Sequence, residues 1–128
     1  MLYKVHESDN FLFIVMELLQ GGSLKALLNH CKQKNYKLNE EQIAVIMKQI
    51  FEGLHYTHSK NFMHSDLKLE NIVFKNKNKI DTLKLIDFGL GIKFDNSLTQ
   101  FTYGKFGTYA YMAPEQMMSM PNSRALVI

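Results

Sequence analysis

Arginine is almost missing from this sequence. Of 15 Lys and Arg residues, the only guanidinium is that of Arg124. Cysteine is as scarce: Cys31 stands alone, which excludes an internal disulfide and fits a reducing compartment. Neither sign of charge dominates, and a net +3 with scattered lysines is too small to imply a nucleic-acid partner. Long apolar runs are absent too. The longest, FLFIVMELL at 11–19, is too short to span a bilayer and carries Glu17. Residues 1–10, MLYKVHESDN, are charged from the start and contain no signal-peptide core. These absences lead to the expectation of an intracellular, cytoplasmic protein that contacts neither membrane nor nucleic acid.

What is present suits one folded domain: 128 residues, 46% hydrophobic and 21% charged, enough for a core without disulfides or metals. LYKVH (2–6) and FLFIVMEL (11–18) are β-prone around the turn residues Ser8-Asp9-Asn10, which predicts a hairpin. Its second strand is nearly all apolar and is expected to be covered on both faces. Gly21-Gly22 breaks the strand, and Ser23 can cap a short helix with Leu24, Leu27, Leu28 and Cys31 on one side. Asn39 with Gln42 forms a capping-box start for the strongest helix, from about Glu40 to Ser59. Ile43, Ile46, Met47, Ile50, Phe51 and Leu54 form its apolar face. NIVF (71–74) and TLKLI (82–86) predict a second hairpin whose tip, KNKNK (75–79), is solvated. Beyond Asp87 the chain has no clear period, and long irregular segments in compact proteins are usually functional.

The chemistry concentrates in HSDLKLEN (64–71) and in Asp87. Taken singly, Asp66 and Asp87 are unremarkable turn or capping carboxylates. The layout changes this, because a hairpin returns its ends to one place and can bring Asp66, Asn71 and Asp87 together. Asn71 and Asp87 offer hard oxygen ligands of the kind Mg²⁺ takes alongside phosphate oxygens. Asp66 is then free to accept a proton, and Lys68 can offset phosphate charge. That is a phosphoryl-transfer site in outline. His55, His58 and His64 do not predict a metal site, since no cysteine is near and a fourth ligand is missing. Met117, Met118 and Met120 read as gap-filling apolar residues at an interface.

These stretches resemble the eukaryotic protein kinases. HSDLKLEN is similar to their catalytic loop, Asp-Phe-Gly at 87–89 to their metal-binding motif, and GTYAYMAPE at 107–115 to the end of their activation segment. VMELLQGG (15–22) looks like the hinge between kinase lobes. Lys68, following Asp66 by two, resembles the serine/threonine class, and the overall style leans towards calcium/calmodulin-dependent kinases. The resemblance implies an incomplete α+β kinase-like fold: a small-lobe β hairpin (1–16), a hinge (17–22) and a mainly helical large-lobe portion (23–128). It implies ATP and Mg²⁺ as cofactors and a protein carrying Ser or Thr as substrate. Asp66 would be the catalytic base, Lys68 would contact the γ-phosphate, and Asn71 and Asp87 would bind the metal. Met16, Glu17, Leu19 and Val73 would surround the adenine. Thr108 would hold Asp66, and Phe88 would pack on His64.

The sequence also departs from the family. Ser65 stands where the family has an Arg that reaches a phosphorylated activation segment, and the usual phosphosite falls near Gly104, which has no hydroxyl. The expectation is that an active parent protein does not require phosphorylation there, although Thr102 and Tyr103 are adjacent. No Gly-rich loop, phosphate-anchoring strand lysine or partner glutamate precedes residue 15, and MMSMPNSRALVI does not continue the family pattern. Neither is there a distant Arg for Glu115, Arg124 being too close in sequence. These departures predict that the chain alone is a weak or inactive kinase. The second expectation they support is a non-catalytic kinase-like module that binds another kinase or a regulator through an exposed hairpin edge.

Overall fold

The computed structural model describes residues 1–94, 107–114 and 117. Thr102, Tyr103, Gly104, Glu115, Met118, Met120 and Arg124 lie outside the described residues. The architecture is α+β, and the elements named among the described residues are two α-helices and three small antiparallel pairs of strands, with two short 3₁₀ turns.

Strands β1 (Leu2–Ser8) and β2 (Phe11–Met16) form the first hairpin, with Ser8 opposite Phe11 and a register irregularity between Leu2 and Lys4. β2 ends at Met16 and not at Leu18, and among the described residues nothing covers either face. Every residue of both strands is exposed, Phe11 at 67%. The expected two-sided cover is not seen among the described residues, where every residue of this ribbon is exposed.

Helix α1 (Leu24–Gln33) begins where the Ser23 side chain accepts a hydrogen bond from Ala26 N at 3.2 Å. It buries Leu24 and Cys31, half-buries Leu27 and leaves Leu28 exposed. Helix α2 (Glu40–Ser59) opens with the expected capping box: Asn39 Oδ1 accepts from Gln42 N (2.8 Å), and Gln42 Oε1 from Asn39 N (3.0 Å). Both helices end in a left-handed asparagine, Asn35 and Asn61, the residue that tolerates this conformation after glycine. The apolar face of α2 is narrower than its sequence suggests. Ile46 and Ile50 are buried and Leu54 half-buried, while Ile43, Met47 and Phe51 are exposed.

After α2 the chain runs through β3 (Phe62–Met63), a 3₁₀ turn (Leu69–Asn71), β4 (Ile72–Phe74), β5 (Leu83–Leu85) and β6 (Ile92–Lys93). β4 pairs with β5, as the sequence predicts, and β3 with β6, which is too short to leave a periodic signal. Leu24, Ile46, Ile50, Ile72 and Phe74 form the core where α1, α2 and the β4–β5 hairpin converge. The segment after β2 joins this hairpin as a further edge: Gly21 N donates to Phe74 O and Phe74 N to Gly22 O, each at 2.9 Å. Gly21 is required there, since a Cβ would lie 2.5 Å from Asn76 O. A single polar side chain pins the hairpin to α2. Gln49 Nε2 donates to Ile80 O (2.8 Å), and its Oε1 accepts from Leu83 N (2.8 Å).

Candidate active site

The loop between β3 and the 3₁₀ turn is shaped by His64, which is 2% exposed. Its Nε2 donates to Ile86 O at 2.8 Å, and its Nδ1 accepts from Asp66 N at 3.3 Å. One neutral tautomer satisfies both bonds. The imidazole also stacks on Phe88 with ring centroids 4.5 Å apart, as expected from the sequence. This histidine thus ties the loop carrying Asp66 to the segment carrying Asp87. Ser65, between them, is forced to a left-handed φ of 63°, a conformation serine seldom adopts.

Asp66 is 8% exposed and surrounded by donors. Thr108 Oγ donates to its Oδ1 at 2.7 Å, while Lys68 Nζ (2.5 Å) and Asn71 Nδ2 (3.4 Å) donate to its Oδ2. Asn71 Nδ2 also reaches the Asp66 carbonyl at 2.9 Å, and Lys68 Nζ reaches Thr108 Oγ at 3.1 Å. The Lys68 hydrogen bond, helped by that of Thr108, holds the Asp66 carboxyl below its ordinary range against the opposing effect of burial. The same bond to Asp66 raises the Lys68 ammonium. Both groups are therefore ionised at neutral pH.

Asn71 and Asp87 sit at the two mouths of the β4–β5 hairpin, where Ile86 N donates to Asn71 O at 2.9 Å. Asp87 does not continue β5. It turns left-handed (φ 61°), is exposed, and accepts from Gly89 N at 3.3 Å. Its charge reaches Lys68 and helps raise that ammonium. Among the described residues, positive φ at non-glycine positions otherwise falls only on Asn35, Asn61 and Asn78. The two departures from asparagine are thus both in this site, which is where backbone strain tends to be stored. Gly107 (φ 101°) lets the segment bearing Thr108 approach, because a Cβ there would meet Ser65 O at 2.7 Å.

Of the residues expected around an adenine, Val73 is half-buried on β4, where Ser23 forms an isolated bridge to it. Leu19 is half-buried and Met16 is 61% exposed. The Glu17 carboxylate has a role that sequence reasoning missed. It meets Lys75 Nζ at 2.8 Å and Lys84 Nζ at 3.6 Å, tying the segment after β2 to the second hairpin. Chiefly through the Lys75 bond, its carboxyl is lowered to about 2. No local pattern announces this pairing, because Glu17 and its lysines lie on different elements.

This constellation can be set beside known proteins. The family profile described as "Protein kinase domain" matches residues 1–126. The chain belongs to the protein kinase family. It is 44% identical over 114 residues to "Calcium-dependent protein kinase 6" of Plasmodium berghei (strain Anka), covering 89% of the chain and 7% of that relative. It is 39% identical over 114 residues to "Calcium-dependent protein kinase 5" of Plasmodium falciparum (isolate 3D7), covering 89% and 19%. It is 37% identical over 122 residues to "Probable serine/threonine-protein kinase mkcD" of Dictyostelium discoideum, covering 95% and 17%. The chain thus spans between 7% and 19% of the length of these relatives. It carries a partial kinase domain with an α+β fold. Among the described residues, no helix is long and apolar enough to cross a membrane.

Proposed function

We propose that this kinase chain serves transfer of the ATP γ-phosphoryl group to Ser or Thr hydroxyls of protein substrates. The observation that carries the reading is the buried, ionised Asp66, fixed by donors from Lys68, Asn71 and Thr108. An ionised carboxylate offers about four lone-pair sites, and those three donors leave one for an incoming hydroxyl. With its pKa lowered, Asp66 is a weak base. It orients the hydroxyl first and takes the proton once bonding to phosphorus has made that proton acidic. Lys68 brings positive charge to the same spot, where it offsets charge on the transferred group.

The donor set fits Mg²⁺. Asn71 commits its amide nitrogen to Asp66, which leaves the amide oxygen, together with the Asp87 carboxylate, as hard ligands. Among the described residues no group of three or more His, Cys, Asp or Glu could hold a metal. Two protein oxygens are nevertheless what Mg²⁺ needs when phosphates and water complete its shell. When bound, Mg²⁺ would neutralise charge between the phosphates. On this reading residues 1–16 are small-lobe hairpin, 17–22 are hinge contacting the adenine near Met16, Leu19 and Val73, and 23–128 are large lobe.

Ser65 supports independence from activation-segment phosphorylation. Its buried Oγ has no hydrogen-bond partner among the described residues, and a hydroxyl cannot clamp a phosphate dianion as a guanidinium does. The names of the relatives favour the catalytic reading over that of a non-catalytic module, as does the intact Asp66 cluster.

Calorimetric titration with ATP, with and without Mg²⁺, tests the site. Asp87→Asn should weaken the Mg²⁺-dependent binding while sparing binding of metal-free ATP. In a phosphorylation assay of a full-length protein carrying this segment, with a basic protein as substrate, Asp66→Asn should lower turnover by roughly two to four orders of magnitude. Binding indifferent to Mg²⁺ and to Asp87→Asn, or turnover surviving Asp66→Asn, would refute the proposal.

A further inference from the structure

A second concavity, about 320 Å³, opens between α1 and the loop joining β4 to β5. That volume is at the lower end of the range for ligand clefts. None of Asp66, Lys68, Asn71, Asp87 or Thr108 lines it. Its apolar lining comes from Ala26 and Leu27 on α1 and from Phe74 and Ile80 on the hairpin. His30, Asn76, Asn78 and Lys79 supply its polar lining.

Both walls are held in place. Ser23 caps α1, and Gln49 fixes the loop through Ile80 O. Thr82 Oγ donates to Lys79 O at 2.9 Å and accepts from Asn76 N at 3.3 Å, closing the tip on itself. The groove is therefore preformed.

Its charge has one sign. No Asp or Glu lines the groove. Lys79 lines the groove and Lys77, on the same loop, lies outside its lining; both are exposed and have no ion-pair partner among the described residues, whereas Lys75 of the same run is taken by Glu17. Lys32, in the last turn of α1, adds to the basic side. An apolar lining beside the exposed Lys77 and Lys79 matches an apolar side chain flanked by carboxylates. A second copy of the chain fits less well, because each copy carries net +3 and would bring like charge to the rim.

We propose that this groove docks an acidic peptide segment of a partner protein, seating one leucine or isoleucine on Leu27, Phe74 and Ile80 while its carboxylates meet Lys77 and Lys79. The inference does not depend on phosphoryl transfer, and its experiment contains no nucleotide.

The probe is a fluorescein-labelled peptide alternating leucine with aspartate and glutamate, read by fluorescence anisotropy against the whole chain. Affinity should be modest, on the order of ten micromolar or weaker, as for small transient interfaces. It should weaken as salt rises. Lys79→Glu should reduce it roughly tenfold. Ala26→Glu should do the same while keeping the fold, because position 26 is where a glutamate completes a capping box with Ser23. Circular dichroism checks that α1 survives. Unchanged binding in both variants, equal binding of a control peptide with lysine at the acidic positions, or no binding up to about millimolar peptide would each overturn the proposal. Sedimentation showing self-association that Ala26→Glu abolishes would overturn it in favour of a second copy.

Discussion

Gln49 is the test of how the site is supported. Its Nε2 donates to Val45 O (2.9 Å) and Ile80 O (2.8 Å), and its Oε1 accepts from Leu83 N (2.8 Å). Gln49→Met keeps the length of the side chain and deletes all of these bonds. As a helix carbonyl, Val45 O retains its in-helix partner. Ile80 O and Leu83 N lose theirs in a half-buried position. A fully buried orphan costs about 1–3 kcal/mol, and partial access to water reduces this to about 1 kcal/mol each, or about 2 kcal/mol together. With a urea slope of about 1–3 kcal/mol/M for a small domain, the unfolding midpoint should fall by roughly 1 M. Gln49→Glu adds a test by pH. The ionised carboxylate still accepts from Leu83 N but faces Ile80 O with no proton to donate, so its folded-state pKa is raised above its unfolded value. Its stability deficit should therefore be present at neutral pH and shrink as pH falls through that raised pKa, where the protonated acid can donate again. A midpoint in Gln49→Met within about 0.3 M of the parent, or a pH-independent deficit in Gln49→Glu, would refute the account of the hairpin as pinned by this amide.

Thr108→Ala removes a donor to the buried Asp66 charge, worth about 1.5–3 kcal/mol, so turnover should fall roughly 10- to 100-fold, with Thr108→Ser restoring most of it; steady-state kinetics read the difference. Gly21→Ala sets a Cβ 2.5 Å from Asn76 O and from Phe74 Cβ, backbone-close atoms that cannot step aside, so thermal melting should show a large loss of stability. The Asp66 carboxyl is lowered in the folded chain, so its contribution to stability is present above the ordinary carboxylate pKa and is lost as pH falls through the lowered value. Asp66→Asn should accordingly flatten the acid limb of a stability–pH profile below about pH 4. In a full-length protein carrying this segment, alanine at both Thr102 and Tyr103 should leave turnover intact because Ser65 has freed the site from phosphorylation, and loss of activity in that double variant would end the idea.

Most of the helical framework was readable from local chemistry. Asn39 and Gln42 mark the start of α2, and Ser23 that of α1, because caps are decided by residues within one turn. The β4–β5 hairpin followed from its two apolar runs. Motif order predicts that Asp66, Lys68, Asn71 and Asp87 meet and that Thr108 holds Asp66; hydrogen bonds join Asp66 to Lys68, Asn71 and Thr108, while Asp87 acts on Lys68 through charge and accepts a hydrogen bond from Gly89 N. The rest depends on contacts distant in sequence. β6 is two residues long and exists through its pairing with β3, so no period could reveal it. The left-handed turns at Ser65 and Asp87 go against the propensities of those residues and are imposed by what surrounds them. The exposed β1–β2 ribbon shows the opposite limit: an apolar pattern states what a strand can bury, not what is there to bury it.

The bond between Thr108 and Asp66 joins residues 42 positions apart, whereas Lys68 and Asn71 grip the same carboxylate from within five. Long loops close late, after nearby contacts have formed. During vectorial synthesis the carboxylate is thus grasped at once by its near neighbours, and it receives its last restraint only when the ribosome has released the far segment. A translation pause before that point would yield a chain with a formed core and an unfinished Asp66 cluster.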